Sequence, residues 1–535
     1  MNFLPRRARR LLTPLCLAFA CAAAQAGELD LTSATIAELG AAMDAGTLDA
    51  QTLVRRALAR IEAYDDAGPA INAVLTVNEG ALAEAEALDA ERRRTGRRSP
   101  LHGIPVVLKD NIDTADLPTT AGSFQLAGAP PPDDAFLTQR LRAAGAIVLA
   151  KVNLSEFASG GPLSSLGGPT FNPHDTTRSP SGSSGGSGAA VAAAYAPLGL
   201  GTDTGGSVRG PSSANGIVGL KPTLGLLSRD GIVPLALSFD TAGPMTRSVA
   251  DLALSLNVLA AVDPADPATA AAEGRIADDY TAFLDAEALS GARIGVARDF
   301  MGADREVDWL VEAALETMRA AGAEVVDVAL PRWLLQSRGE FYRTIRYREF
   351  RAQIADYLQA RSDAGPQTLA DLIAGARGVV ARRPDGVVPD PGRWSLMLRE
   401  EASGSLDDAE YEAVRAHALP LIRATLEGLM VEEALDAIVY PTSPTRPGRI
   451  DPDPDPNGAP GSGGSPVILA NLAGFPDLIV PAGFTGYGLP VTISFLGPAF
   501  SEPRLIALGH AFEQRTRARR LPVLTPPLAG DRLRW

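Results

Sequence analysis

The chain has 535 residues, of which 46% are hydrophobic and 21% are charged, a composition that supports a large buried core and excludes wholesale disorder. Its formal net charge of −14 argues against a nucleic-acid partner and against charge-driven binding to anionic lipid. The four histidines show neither HxH nor HExxH spacing, so no metal site built on histidine is expected.

Residues 1–26 are typical of an export signal. Four arginines lie between residues 6 and 10, a short apolar run covers 11–20, and a small-residue cleavage site at 24–26 makes Gly27 the predicted mature start. Twin-arginine export and lipoprotein processing at Cys21 stay open as routes. Both cysteines lie in this segment, so the mature chain has neither a disulfide framework nor a thiol nucleophile. We therefore expect an exported, periplasmic or secreted protein without stable membrane insertion.

The first half of the mature chain alternates helical and strand-like patterns. Residues 29–97 are expected to be helical, since apolar residues recur at helical spacing between 53 and 61. Residues 104–108 and 146–150 are short apolar runs that predict buried strands, the first of which ends at Lys109. Residues 159–223 are rich in Gly and Ser but interrupted by apolar runs, which indicates tightly packed backbone rather than a linker.

The second half contains a pattern of strand, helix and strand over residues 293–328, which favours parallel pairing in an α/β sheet. Residues 435–440 and 478–480 are further strand candidates, and 505–515 is a predicted closing helix. Residues 449–466 should form an exposed loop, either a lid or binding loop or a disordered excursion. No repeat or boundary divides residues 27–535, which we expect to form one domain.

Lysine usage is unusual, because only three of the 49 basic residues are lysines: Lys109, Lys151 and Lys221. Arginine stays charged in proteins, whereas burial can make a lysine neutral and therefore basic. Lys109 follows an apolar strand, where desolvation would lower its pKa. The alternative for any one of these lysines is that an arginine-rich composition left it there by chance. Lys151 and Lys221 are expected to be structural.

Two Gly/Ser-rich segments, residues 180–187 and 201–209, could surround a serine with close-approaching backbone. Glycines let a substrate approach the chain and let several N–H groups point at one oxyanion. Neither a Walker pattern nor a GxGxxG motif after a strand is present, and Ser207 does not lie in a GxSxG elbow. Since histidines are few and scattered, a neutral lysine is a plausible base for a serine nucleophile.

These motifs together resemble the amidase signature family over nearly the full length of the chain. The matching segments are HGIPVVLKDN at 102–111, KVNLSEF at 151–157, Asn172-Pro173, the two Gly/Ser-rich segments, and GLKPT at 219–223. The resemblance implies one α/β domain with a mixed central β-sheet flanked by helices. It also implies amide hydrolysis through an acyl-enzyme, with no metal or organic cofactor and with an amide, small or peptidic, as the partner.

The resemblance assigns roles to residues of both Gly/Ser-rich segments. Ser207 aligns with the nucleophile, Ser183 with a serine that follows a cis peptide bond, and Lys109 with the base. The implied oxyanion donors are the backbone N–H groups of Thr204, Gly205, Gly206 and Ser207. The implied supporting residues are the ion pair Asp203 and Arg209, together with Gly182 and Ser184. Two departures from the common pattern are Ser181 before the cis bond and Gly210 after Arg209.

Four further segments are similar to bacterial peptide amidases, which remove the C-terminal amide of peptides and release ammonia. They are LLSRDGIVP at 226–234, DTAGPM at 240–245, SEPRLI at 501–506 and EQRTRARR at 513–520. Aryl acylamides, small aliphatic amides and cyclic oligoamides are the alternative substrates. A non-catalytic or partner-dependent component of a tRNA amidotransferase is a second class of function, and a binding protein that has lost catalysis is a third.

Overall fold

The computed structural model describes Met1 and residues 28–361, 364–450 and 466–534. The predicted export signal and residues 451–465 of the predicted loop therefore lie outside the described residues. Export, like the choice between lid and disordered loop, stays a prediction.

The described ranges contain both strands and helices, with five successive α-helices, α9 to α13, between β11 and β12. The strands are β1 Glu28–Asp30, β2 Val74–Val77, β3 Pro105–Lys109, β4 Ile147–Val152, β5 Leu163–Ser164, β6 Gly168–Pro169, β7 Leu198–Asp203, β8 Val218–Lys221, β9 Thr241–Thr246, β10 Arg293–Ala297, β11 Glu324–Val328, β12 Ala437–Pro441, β13 Asp477–Phe484, β14 Pro490–Leu496 and β15 Arg532–Arg534. The α-helices are α1 Ile36–Asp44, α2 Ala50–Ile61, α3 Ala81–Thr95, α4 Phe136–Ala143, α5 Gly185–Ala192, α6 Arg209–Asn215, α7 Val249–Leu259, α8 Arg305–Ala320, α9 Arg332–Arg361, α10 Leu369–Arg377, α11 Pro391–Glu401, α12 Ala409–Ala413, α13 Leu419–Glu432, α14 Ile468–Ala473 and α15 Glu502–Thr516.

A mixed sheet forms the centre of the molecule. Eleven strands of the described chain take part, in the order β11-β10-β12-β14-β13-β8-β9-β7-β3-β4-β2. Strand β3 lies between β7 and β4 and runs parallel to both. Strands β8, β9, β13 and β14 pair antiparallel in the middle of the sheet. The last strand segment, β15, pairs with β1 and so joins the two ends of the described chain.

The central strands are buried along their whole length, which requires helices on both faces of the sheet. Every residue of β3, β4 and β7 is buried, and their sequences are mainly Val, Leu, Ile, Ala and Gly. Helix α5 packs on β7 and β3, while α7 packs on β9 and α15 packs on β13. This arrangement confirms the predicted mixed α/β fold with a central sheet between helices.

Most of the strand predictions are confirmed. Strands β10 and β11 pair in parallel and are joined by α8, as predicted for 293–328. The predicted strands at 104–108, 146–150, 435–440 and 478–480 correspond to β3, β4, β12 and β13. The helical prediction for 29–97 is wrong at two strands, β1, which pairs with β15, and β2, which pairs with β4. The local pattern of apolar residues does not show that such a segment has a pairing partner distant in the chain.

Lys151 illustrates a structural lysine, as expected. Its ammonium group lies 3.1 Å from Asp110 Oδ1 and donates to Thr119 Oγ1 at 2.8 Å and to the Pro118 carbonyl at 3.0 Å. The side chains of Lys151 and Asp110 are 0% and 2% exposed. Lys221 likewise donates to two carbonyls, those of Pro222 and Phe475.

We expect Lys151→Met to lower the free energy of unfolding by roughly 3–5 kcal/mol, because the variant leaves the Asp110 carboxylate buried without its cation. Urea unfolding followed by circular dichroism measures the change. The control is Arg319→Met, which removes an exposed pair with Glu316 on one helix and should cost less than about 0.5 kcal/mol. Equal stability of the two variants would contradict the account of this pair.

Candidate active site

Lys109 brings a desolvated amine to the end of β3. The residue is fully buried between the parallel strands β4 and β7. Its Nζ lies 2.7 Å from Ser183 Oγ, 2.8 Å from Thr202 Oγ1 and 3.4 Å from the Thr202 carbonyl oxygen. Burial lowers the pKa of Lys109 to about 7, against the opposing effect of the Asp203 and Asp240 carboxylates. A large fraction of this amine is therefore neutral near neutral pH.

Two residues around this amine were missed by the sequence analysis. Thr202 is the neighbour that presents both its hydroxyl and its carbonyl to Lys109, and Asn111 Nδ2 donates to Thr202 Oγ1 at 3.0 Å. Asn111 lies two positions after Lys109, and Thr202 lies one position before Asp203. Both residues are therefore inside the motifs that carry the family resemblance. Only the pairing of β3 with β7 shows that they meet.

The segment around Ser183 turns back towards the sheet before α5 begins. The Gly182–Ser183 peptide bond is cis, as the resemblance implied, and the Ser155 N–H donates to the Ser183 carbonyl at 3.0 Å. The Ser184 N–H donates to the Ser207 carbonyl at 3.1 Å, which joins the two Gly/Ser-rich segments. A Cβ on Gly186 would overlap the Asn153 carbonyl, so only glycine lets α5 begin this close to β4.

Ser207 lies in the turn between β7 and α6 and is the partly exposed member of the predicted triad, whereas Lys109 and Ser183 are buried. Its hydroxyl makes no hydrogen bond to the described residues. The structure therefore places the Lys109–Ser183 pair in contact and the partly exposed Ser207 on the turn that the Ser184 N–H joins to the Ser183 segment, in the three positions that the sequence analysis singled out.

Asp203 shapes the turn that carries Ser207. Its carboxylate accepts hydrogen bonds from the N–H groups of Gly206 at 2.8 Å and Val208 at 3.0 Å. Gly206 has a φ of 115°, a backbone conformation that favours glycine. The Gly206 N–H is thus occupied by Asp203, unlike the prediction that it faces an oxyanion. For the N–H groups of Thr204, Gly205 and Ser207, no acceptor is found among the described residues.

The predicted ion pair between Asp203 and Arg209 is present and fully buried. Arg209 Nε and Nη2 each lie 3.0 Å from an oxygen of Asp203, and Nη1 lies 2.8 Å from Asp477 Oδ2. Asn471 Nδ2 also donates to Asp203, at 2.9 Å. Burial alone would raise the pKa of Asp203, but Arg209 and these hydrogen bonds hold it well below its usual range. The turn is therefore fixed by a carboxylate that stays charged.

A cavity of about 330 Å³ opens on this turn, within the size range of small-molecule sites. Its lining includes Gly182, Gly205 and Gly206 together with residues 442–448. Among the described residues that line it, Arg446 is the only charged one. Its guanidinium is paired with Asp304 at 2.6 and 2.9 Å. The described lining of the cavity therefore offers glycine backbone, hydroxyl groups and an arginine that is ion-paired with Asp304.

The described residues contain no group of three or more His, Cys, Asp or Glu side chains that could hold a metal ion. No helix within the described ranges is long and apolar enough to cross a membrane.

Known proteins with this architecture include amidases and components of tRNA amidotransferases. Native peptide amidase from Stenotrophomonas maltophilia superposes with a TM-score of 0.83 at 42% identity, covering 92% of this chain and 99% of that one. A glutamyl-tRNA(Gln) amidotransferase subunit is 38% identical over 492 residues in Halorhodospira halophila and 39% over 490 in Chloroflexus aggregans, covering 90% of this chain and 97% or 96% of the relative. The family model Amidase matches residues 52–506. The chain therefore belongs to the amidase family, which confirms the resemblance found in its sequence.

Proposed function

We propose that this chain is a hydrolase that removes the C-terminal amide of peptides and releases ammonia, through an acyl-enzyme on Ser207. The proposal rests on three features together: the neutral amine of Lys109 in contact with Ser183, the partly exposed Ser207, and a cavity whose one charged side chain among the described lining residues, Arg446, is paired with Asp304.

The proton path begins at the amine. A neutral lysine has two N–H bonds and one lone pair. The carbonyl and hydroxyl oxygens of Thr202 can accept both N–H bonds, which leaves the lone pair for the Ser183 hydroxyl at 2.7 Å. Lys109 can then take the Ser183 proton while Ser183 takes the proton of Ser207, so that a single base activates the nucleophile through one intervening hydroxyl.

The chemical steps follow from this path. Ser207 Oγ forms a bond to the amide carbon, and the carbonyl oxygen gains the negative charge. The N–H groups of Thr204, Gly205 and Ser207 can stabilise that oxyanion. The C–N bond then breaks as Ser183 returns a proton to the leaving nitrogen, which departs as ammonia. A water molecule, deprotonated by the same relay, cleaves the ester on Ser207 and releases the carboxylic acid.

The single observation that favours a peptide amide is the charge of the cavity wall. A C-terminal carboxamide is neutral, as is the peptide backbone before it. A free amino-acid amide carries an ammonium group, and glutamine carries a carboxylate as well, so both would need unpaired opposite charges. Arg446, the charged side chain on the described wall, is already held by Asp304. The similarity to peptide amidase supports the same choice.

A second candidate is a component of a tRNA amidotransferase, favoured by the 38% identity to one such protein over 97% of its length. The net charge of −14 argues against direct contact with tRNA, whose phosphates attract basic surfaces.

The proposed function predicts ammonia release from N-acetyl-phenylalanine amide by the chain that begins at Gly27, measured with a coupled glutamate dehydrogenase assay. Ser207→Ala should lower kcat by at least about 1000-fold, because the nucleophile is lost. The matched control is Ser290→Ala, at an exposed serine in a turn, which should keep wild-type activity.

Other substrates separate the alternatives. Turnover of benzamide or an anilide without turnover of the peptide amide would retain the mechanism and contradict the substrate. Release of ammonia from free glutamine together with binding of tRNA in a filter assay would favour the amidotransferase component.

Thr202→Val should lower kcat by roughly 100-fold with little change in KM, because Lys109 and Asn111 both lose their shared hydroxyl while the substrate loses no contact. Thr202→Ser keeps the hydroxyl and should stay within about tenfold of wild type. Steady-state kinetics and melting temperatures of both variants provide the comparison. Equal kcat values for the two variants would show that the hydroxyl does not position the amine.

A further inference from the structure

Helix α9 forms hydrogen bonds with three segments outside regular helices and strands, at Ser159, Ser238 and Asp113. Arg346 Nη2 donates to Ser159 Oγ at 2.6 Å, and Glu349 Oε2 accepts a hydrogen bond from the Ser238 N–H at 2.9 Å. Further along, the Tyr357 hydroxyl donates to Asp113 Oδ1 at 2.8 Å. Contacts on several turns thus fix the helix, and the residues on this face have a defined position.

Tyr342, one turn before Arg346, lies directly against the turn that carries Ser207. A Cβ on Gly205 would lie only 2.5 Å from the Tyr342 hydroxyl oxygen. The ring of Tyr342 stacks on the buried Phe239, with ring centroids 5.5 Å apart and an interplanar angle of 21°. The phenol is thereby held at Gly205, one of the residues whose N–H group has no acceptor among the described residues.

The hydroxyl of Tyr342 has no hydrogen-bond partner among the described residues, although other tyrosines of this region, such as Tyr411 and Tyr357, are paired with carboxylates. The residue is partly exposed. Burial raises the pKa of Tyr342, so the phenol stays protonated and can donate. A donor without a partner at the edge of a catalytic turn is a group that a substrate can satisfy.

We propose that the Tyr342 hydroxyl donates a hydrogen bond to the peptide carbonyl that precedes the C-terminal residue of the substrate. This inference rests on the proposed function. In a peptide amide bound at the turn, the preceding carbonyl lies one residue from the scissile amide, since consecutive Cα atoms are roughly 3.8 Å apart, and the Tyr342 hydroxyl lies against Gly205 of that turn. Tyr342 is then a specificity residue that distinguishes peptide amides from amides with hydrocarbon acyl groups.

The test compares two substrates that share the scissile carboxamide and the benzyl side chain. N-acetyl-phenylalanine amide carries the preceding carbonyl, whereas 2-benzylpentanamide replaces its acetamido group with a propyl group. Tyr342→Phe keeps the ring on Phe239 and removes only the hydroxyl. We expect kcat/KM for the peptide amide to fall by about three- to tenfold and kcat/KM for the hydrocarbon amide to change by less than about twofold. Tyr347→Phe, the same change at a partly buried tyrosine of α9, is the control.

A selective loss on the peptide amide, absent in Tyr347→Phe, supports the contact. Equal losses on both substrates would overturn it, since a structural or oxyanion role lowers both reactions alike, and unchanged kinetics on both would overturn it as well. If the wild-type enzyme does not hydrolyse the peptide amide, the proposed function is contradicted, and so is the proposed Tyr342 contact. That outcome appears in the wild type alone and is therefore distinct from a failure of the variant.

Discussion

The burial of one amine, that of Lys109, constrains the rest of the catalytic region. A charged ammonium group in the middle of a sheet is costly, so burial lowers its pKa to about 7 and favours the neutral form. The neighbours of Lys109 must then accept hydrogen bonds from the two N–H groups of its neutral amine, and none of them in direct contact with the amine can be a carboxylate. The two oxygens of Thr202 meet this requirement, and the remaining direction faces Ser183. The parallel strands β4 and β7 on either side of β3 hold these groups in place.

Lysine and arginine have different roles in this structure. Lysine is rare in the sequence, and all three lysines are fully buried. Lys109 occupies a place where burial favours the neutral form of a basic group. Arg209 occupies one where the charge must persist, because its guanidinium holds the Asp203 and Asp477 carboxylates. Asp203 in turn accepts hydrogen bonds from the Gly206 and Val208 N–H groups, which fixes the turn at Ser207. The N–H groups of Thr204, Gly205 and Ser207 have no acceptor among the described residues.

The sequence predicts these features to different depths. Strands such as β3 and β10 are mainly apolar, so their position follows from local composition. The motif residues Lys109, Ser183 and Ser207 follow from the family resemblance. Three features depend on partners distant in the chain and could not be predicted: the edge strand β2, the role of Thr202, and Tyr342 on α9. The occupied Gly206 N–H is similar, since a glycine-rich turn indicates that N–H groups converge but does not say which of them an internal carboxylate takes.

The central claim, that the neutral Lys109 amine activates Ser207, is tested most directly by the pH dependence of covalent labelling. The rate at which a fluorophosphonate modifies Ser207, followed by intact-protein mass spectrometry, should rise about tenfold per pH unit below pH 7 and level off above it, because Lys109 must lose its proton first. Lys109→Met should label slowly and without this pH dependence. A wild-type rate that is flat between about pH 5.5 and 8.5, or a Lys109→Met variant that labels as fast as wild type, would contradict the account.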